Sequence, residues 1–237
     1  MKLFGYRIDL LNLGDAVTRV IELAKTAGFK TVTTLNAMMV AEADRQPWLN
    51  EYIRRSELVV ADGSGITIAL KLMKGEHVEK VAGVDLVEGL LCQNKASLFL
   101  IGGTPFAHDD MMSDIKRRFD KARIVGTCHG YFGPEDKQKL IVRVSEISPD
   151  VILVGMGVPL QERFINELRE QLSHGVAIGV GGSFDVVSGR VERAPKWIVD
   201  CHLEWAFRGI KQPFRIKKWG LLGRFFVKVA SYLFNFH

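Results

Sequence analysis

Residues 151–195 read VILVGMGVPLQERFINELREQLSHGVAIGVGGSFDVVSGRVERAP. Two short β-branched runs, Val151–Val154 and Val176–Val180, adjoin glycine and predict buried strands. The intervening stretch Pro159–Leu172 has the length and apolar spacing of a helix, with proline placed in its first turn. Together they predict one βαβ unit of a parallel sheet.

The two glycine-rich loops of this unit are candidate ligand sites, because ligands of parallel sheets bind beyond the carboxyl ends of the strands. Gly157 and Gly181 let the backbone approach a ligand closely, and Gln161 follows one loop in the first helical turn. Such loops also make tight turns in many α/β proteins. The sequence contains neither GxGxxG nor a GK[ST] phosphate loop here, so no nucleotide fingerprint applies.

The same alternation of strand, short loop and helix recurs through the rest of the chain. Further strands are predicted at Phe29–Leu35, Leu58–Ala61, Ser97–Ile101 and Arg123–Thr127. This pattern indicates an α/β fold: an open, mostly parallel, Rossmann-like sheet with helices on both faces, formed by residues 1–204.

Short polar side chains follow two of these strands. Thr34 and Asn36 can hydrogen-bond a sugar or a nucleotide, although Asn36 is equally suited to cap the next helix. Asp62 opens the sequence DGSG, where an aspartate commonly forms an Asx turn or a helix cap. At the mouth of a parallel strand it is also suited to act as a general base.

The net charge of +5 hides an uneven distribution. Residues 205–237 contain seven Lys or Arg, no Asp or Glu, and nine of the 22 aromatic residues. Residues 1–204 are left with 25 basic and 27 acidic side chains. A basic, aromatic tail attached to a nearly neutral body favours an anionic surface as partner.

Apolar side chains of this tail recur at helical spacing and predict an amphipathic helical appendage. Its apolar run is interrupted by Arg224 and Lys228 and is too short for a comfortable membrane span, so we expect it to lie in an anionic membrane interface. Packing on the body or on a second copy of the chain is the alternative. Nucleic acid is disfavoured, because phosphates gain nothing from large apolar side chains. The predicted apolar stripe is Trp219, Leu222, Phe226, Val229, Leu233 and Phe236.

The cysteines and the first residues indicate a cytoplasmic location. Cys92, Cys128 and Cys201 are odd in number and form no CxxC pair, which argues against a disulfide framework or a zinc site. Arg7 and Asp9 interrupt the first apolar residues, so no signal peptide is predicted.

The quoted stretch resembles the signature of the WecG/TagA/CpsF glycosyltransferases, bacterial enzymes of surface polysaccharide synthesis. Further matching segments occur in the family's order, so the resemblance covers essentially the whole chain. The segments are TLNAMMVAEAD, VVADGSGI, EKVAGVDL, LFLIGGTP, RIVGTCHGYF, GMGVPLQERFI, GVGGSFDVVSGRVERAP and LEWAFRGIKQPFR.

The resemblance implies an inverting transfer from a UDP-sugar to a polyprenyl-diphosphate-linked saccharide, at the inner face of the plasma membrane. N-acetylmannosamine, its uronic acid and glucose are the donor sugars it suggests. It makes Asp62 the expected base and implies that the donor is held by Thr34, Asn36 and Gln161, with room for the nucleotide at Gly157 and Gly181.

Three positions depart from the family pattern: Lys80 replaces a usual Arg, Leu160 a usual Lys and Gln212 a usual Glu. Positive charge must meet the departing diphosphate, and Lys80, Arg208 and Arg215 are the candidates. No DxD-like pair is apparent, so we expect a metal-independent reaction without a cofactor.

Two alternatives stay open at this point: a nucleotide-dependent oxidoreductase of the Rossmann type and a non-catalytic peripheral membrane assembly factor. A homo-oligomer is possible in each case. Arg193 is expected to form an ion pair with Asp185, Asp85 to cap the helix through Val87–Leu91, and Asp15 to cap the first helix.

Overall fold

The computed structural model describes residues 1–201, 204, 207, 209 and 219–234. Within these ranges the chain forms an all-parallel six-stranded sheet in the order β4-β3-β8-β7-β5-β6, flanked by helices. Its strands are β3 (Lys30–Leu35), β4 (Leu58–Ala61), β5 (Leu98–Gly102), β6 (Ile124–Cys128), β7 (Val151–Gly155) and β8 (Val176–Gly179). The predicted α/β class and parallel sheet are confirmed.

A small antiparallel hairpin and a series of helices complete the described fold. The hairpin pairs β1 (Lys2–Leu3) with β2 (Tyr6–Arg7). The helices are α1 (Leu13–Ala24), α2 (Ala37–Ala43), α3 (Pro47–Arg55), α4 (Ser64–Lys74), α5 (Gly83–Gln93), α6 (Pro105–Arg118), α7 (Pro134–Ile147), α8 (Leu160–Gln171), α9 (Ser183–Val187), α10 (Lys196–Asp200) and the tail helix (Trp219–Phe234).

The central strands are buried on both faces, which explains their continuous apolar runs. Val151–Val154 of β7 is fully buried, and its alternate side chains enter two hydrophobic clusters on opposite sides of the sheet. The predicted βαβ unit is confirmed to within one residue at each boundary. Pro159 is the N-cap residue of α8 and does not lie in its first turn. The Val158–Pro159 peptide bond is cis.

Some predictions of helix caps and ion pairs were wrong. Asn12, not Asp15, caps α1, and its side chain accepts a hydrogen bond from the Asp15 amide. Asp85 caps no helix: α5 begins earlier than predicted, and Asp85 lies in its first turn. There it forms an ion pair of 2.6 Å with Arg193, the residue expected to pair with Asp185.

The tail helix packs against α2 and α4, so the alternative of packing on the body is correct for one of its faces. Phe225 and Val229 are buried there, whereas the predicted stripe placed Phe226 on that face and omitted Phe225. Lys228, one of the two residues that interrupt the apolar run, forms an ion pair with Asp44, the C-cap residue of α2. The space between the two body helices fixes the rotation of the tail helix, and periodicity alone cannot supply that information.

Candidate functional site

The predicted site residues gather at the carboxyl edge of four neighbouring strands. Asp62 follows β4, Thr34 and Asn36 lie at the end of β3, Gly181 follows β8 and Gly157 follows β7. These strands are adjacent in the order β4-β3-β8-β7. The topology therefore brings together loops that are up to about 150 residues apart in sequence.

Asp62 is held at this edge by bonds to two neighbouring elements. Its amide donates to the Leu35 carbonyl at 2.8 Å, and its Oδ1 accepts from the amide of Gly83 at 3.3 Å. Gly63, with φ of 80°, makes the turn into α4 and no side chain caps that helix. The half-buried carboxylate thus lies at the first amide of α5, at the positive end of that helix.

Thr34 and Asn36 differ in how the structure uses them. Thr34 is buried, and its Oγ1 donates to the Gly179 carbonyl at 2.9 Å, which ties β3 to β8. Asn36 is the cap of α2, accepting from the Met39 amide at 3.0 Å, as the capping alternative predicted. It remains half-buried beside the strand end.

Gly83 is the point where several of these elements meet. A side chain there would approach Ser183 Oγ to 3.5 Å and Thr34 Oγ1 to 3.8 Å. Ser183 is buried at the start of α9, and its hydroxyl donates to the Val180 carbonyl at 2.6 Å. Ser183 belongs to the glycine-rich loop after β8 that the sequence predicted as a candidate site, but no role was predicted for its hydroxyl.

Gln161 braces the two glycine loops. It is buried, and its Oε1 accepts from the amides of Gly157 at 3.0 Å and Gly181 at 2.9 Å. Its Nε2 donates to Glu162 Oε1 at 2.7 Å. Gly179 leaves room for this arrangement, since a Cβ there would lie 2.4 Å from Gln161 Nε2. The Gln161 side chain therefore fixes the distance between the two loops beside which we expect the nucleotide to bind.

Lys80 reaches the same edge from the segment before α5, where the Val81 amide donates to the Ala61 carbonyl at 2.9 Å. Its Nζ lies 3.0 Å from Glu204 Oε2. Glu204 was not singled out from the sequence. The other two predicted cations, Arg208 and Arg215, lie outside the described residues.

A sequence model of the glycosyl transferase WecG/TagA/CpsF family matches residues 1–236. The chain belongs to this family. It is 32% identical over 190 residues to the N-acetylglucosaminyldiphosphoundecaprenol N-acetyl-beta-D-mannosaminyltransferase of Bacillus spizizenii. The matched region covers 79% of this chain and 73% of that relative.

Membership of the WecG/TagA/CpsF family confirms the resemblance and makes the protein a glycosyltransferase. The oxidoreductase and the non-catalytic assembly factor are therefore not retained. In the part of the chain that the structure describes, no three or more His, Cys, Asp or Glu side chains form a cluster suited to a metal ion.

The outward face of the tail helix in this WecG/TagA/CpsF protein is apolar. Val227 is 66% exposed, Phe234 82% and Phe226 44%. With Trp219 and Ala230 these side chains fall within about 100° of arc at 3.6 residues per turn. None of the described helices is both long enough and apolar enough to cross a bilayer.

Proposed function

We propose that this glycosyltransferase inverts the anomeric centre while moving a sugar from a UDP-sugar to a polyprenyl-diphosphate-linked saccharide. The position of Asp62 carries the proposal: its half-buried carboxylate lies at the carboxyl end of β4 and accepts a hydrogen bond from the Gly83 amide. A carboxylate fixed in this way can accept a proton without losing its orientation. The activity for which the Bacillus spizizenii relative is named supports the acceptor class.

In the proposed reaction an acceptor hydroxyl attacks the anomeric carbon from the side opposite the nucleotide. The new bond joins the hydroxyl oxygen to the anomeric carbon, and the hydroxyl proton passes to Asp62. The bond from the anomeric carbon to the phosphate oxygen breaks, and UDP departs with the electron pair. Positioning of the two reactants and removal of the proton are the contributions that this edge of the sheet supplies.

The loops around this carboxylate suit the donor. Gln161 holds the amides of Gly157 and Gly181 at the ends of β7 and β8. Among the described residues, no heavy atom lies within 4 Å of a Cβ placed at either glycine, so a nucleotide can approach this backbone closely. Thr34 and Asn36 line the neighbouring strand end. Lys80, with Arg208 and Arg215 from the tail, would meet the negative charge on the departing diphosphate.

The tail helix would attach the enzyme to the cytoplasmic face of the plasma membrane, where it meets the prenyl-linked acceptor. Its outward face presents Phe226, Val227 and Phe234 to solvent. Aromatic and aliphatic side chains on one exposed face favour insertion at the level of the lipid headgroups. The basic residues of 205–237 add attraction to anionic lipid.

UDP release by the purified protein tests the reaction. We would compare UDP-N-acetylmannosamine, its uronic acid derivative and UDP-glucose, each with and without a short-chain prenyl-diphosphate N-acetylglucosamine acceptor. We expect release with one donor that depends on the acceptor and falls about 100-fold or more in Asp62→Asn. Asparagine keeps an oxygen for the Gly83 amide, and Asp136→Asn on the exposed face of α7 is the control. Wild-type turnover in Asp62→Asn would reject Asp62 as the base.

We also propose that no divalent metal is needed for transfer. The same assay in the presence of EDTA should then retain its rate. Activity that EDTA abolishes and magnesium restores would refute this part of the proposal.

A further inference from the structure

Phe225 connects the tail helix to the two helices that begin at the candidate site. The ring is completely buried, although it belongs to a helix whose opposite face is exposed. A Cβ at Gly65 would lie 3.6 Å from Phe225 Cε1 and 2.9 Å from Ala37 Cβ. The ring therefore lies where the first turns of α2 and α4 meet.

These two first turns directly follow the polar residues of the site. Ala37 comes immediately after Asn36, and Gly65 lies three residues after Asp62. Gly63, with its positive φ, is the turn that joins the carboxylate to α4. Among the residues that the structure describes, only Ala37 and Phe225 come within 4 Å of a Cβ placed at Gly65, so a change in the ring alters the packing at both helix starts.

Several contacts fix the tail helix in this position. The rings of Phe4 and Phe225 lie edge to face with centroids 6.1 Å apart. Lys228 forms an ion pair with Asp44, the C-cap of α2. Lys74 Nζ lies 3.2 Å from the hydroxyl of Tyr232. The helix is thus attached to α2, to α4 and to the hairpin turn at once.

We propose that Phe225 is a positioning residue for the transfer reaction, setting the placement of Asp62 and Asn36 through the packing of Gly65 and Ala37. The inference rests on the proposed function and deepens it. The helix that carries Phe225 on its inner face carries Phe226 and Val227 on its outer face. Attachment of the outer face to lipid and alignment of the carboxylate therefore depend on one rigid element.

Three variants of the full chain test this inference: Phe225→Ala, Phe225→Leu and Val229→Ala. Val229 is the matched control, because it is buried on the same helix but has no atom within 4 Å of a Cβ placed at Gly65. We would measure kcat and the donor KM below the melting temperature of every variant. Hydrogen exchange of the amides of residues 62–66 provides a readout that does not depend on activity.

We expect kcat to fall at least about tenfold in Phe225→Ala, because small misplacements of a catalytic group are costly, and by less in Phe225→Leu. Val229→Ala should stay within about twofold of the wild type, in line with a structural role alone. The donor KM should change little, and exchange at 62–66 should accelerate only in the Phe225 variants.

Equal kcat values and equal exchange in the Phe225 and Val229 variants would overturn the inference. If Phe225→Ala does not fold, the comparison of Phe225→Leu with Val229→Ala decides alone. A wild-type protein that releases no UDP with any donor and acceptor rejects the proposed function instead. In that case the exchange measurement still shows whether Phe225 orders the loop.

Discussion

Lys80 Nζ lies 3.0 Å from Glu204 Oε2, with 21% and 14% of the two side chains exposed. The pair joins the segment before α5 to a residue 124 positions later. An anionic substrate that binds Lys80 must therefore share the ammonium group with Glu204 or displace it. Lys80 stands where the family pattern has arginine, so the effect of this replacement on donor binding can be tested.

Replacing Lys80 with Met should lower kcat/KM for the donor about 10- to 100-fold, since a hydrogen bond to a charged group contributes about 1.5–3 kcal/mol. Lys80→Arg should retain most of the activity. Steady-state kinetics of UDP release would measure both, with Lys71→Met on the exposed face of α4 as the control. Glu204→Gln separates a substrate contact from a structural pair. An equal loss in Glu204→Gln and Lys80→Met would show that Lys80 acts only by holding Glu204.

Gln161→Leu should reduce both stability and transfer. The substitution keeps the approximate volume but removes the acceptor for the amides of Gly157 and Gly181. The two amides are part-buried, so the loss of each partner should cost toward the lower end of about 1–3 kcal/mol. Urea unfolding and donor KM would measure the effects, with the exposed neighbour Leu160→Gln as the control. An unchanged unfolding midpoint in Gln161→Leu would show that the loops do not depend on the brace.

Substituting Phe226, Val227 and Phe234 with Ser should weaken membrane attachment without unfolding the body. These side chains are exposed, whereas Phe225 is part of the core, so point substitutions are preferable to deletion of residues 205–237. We expect binding to vesicles containing anionic phosphatidylglycerol to fall at least about tenfold in a co-sedimentation assay. Val142→Ser on α7 is the control, since this side chain is also exposed. Unchanged binding in the triple variant would place the membrane contact elsewhere.

Asp150 should make stability depend on pH at the edge of the sheet opposite the site. Burial acts to raise its pKa, but the amide and hydroxyl of Ser97, each 2.7 Å from Oδ2, hold the pKa below its usual value. The ionised carboxylate therefore stabilises the folded state above the ordinary carboxyl pKa of about 3.9. That contribution is lost as the pH falls through the lowered value.

Asp150→Asn should accordingly reduce the free energy of unfolding by about 1 kcal/mol at pH 7, a value discounted for partial exposure. The difference from the wild type should shrink as the pH falls toward 3. Urea unfolding at several pH values would show the trend, and Asp109→Asn, at an exposed position beyond the first turn of α6, should show none of it. A difference that grows with acidity would contradict the assigned direction of the pKa.

Local sequence patterns predicted much of the fold because they report on burial. The run Leu58–Ala61 was predicted with its exact boundaries, since each of its residues is buried in the sheet. The helix Pro47–Arg55 was missed. Its buried residues Leu49, Tyr52 and Ile53 have the i, i+3, i+4 spacing of an amphipathic helix, so the signal for α3 was present in the sequence.

The residues of the candidate site were also predicted only in part. Asp62 and Thr34 could be placed at one edge because they end strands of a parallel sheet, and the carboxyl ends of such strands lie together. The brace formed by Gln161 could not be predicted, because its partner Gly181 lies 20 residues away and its geometry depends on how two loops fold. The same holds for the pair of Lys80 with Glu204.

The sequence by itself determined the parallel α/β fold, the family and the residues that end at the site edge, since each follows from short-range periodicity or from contiguous motifs. Only the tertiary structure decided that Phe225 faces the core while Phe226 faces solvent. Both are phenylalanine on an amphipathic helix. Their roles differ because the space between α2 and α4 accepts one ring, and that space exists only after distant segments have packed.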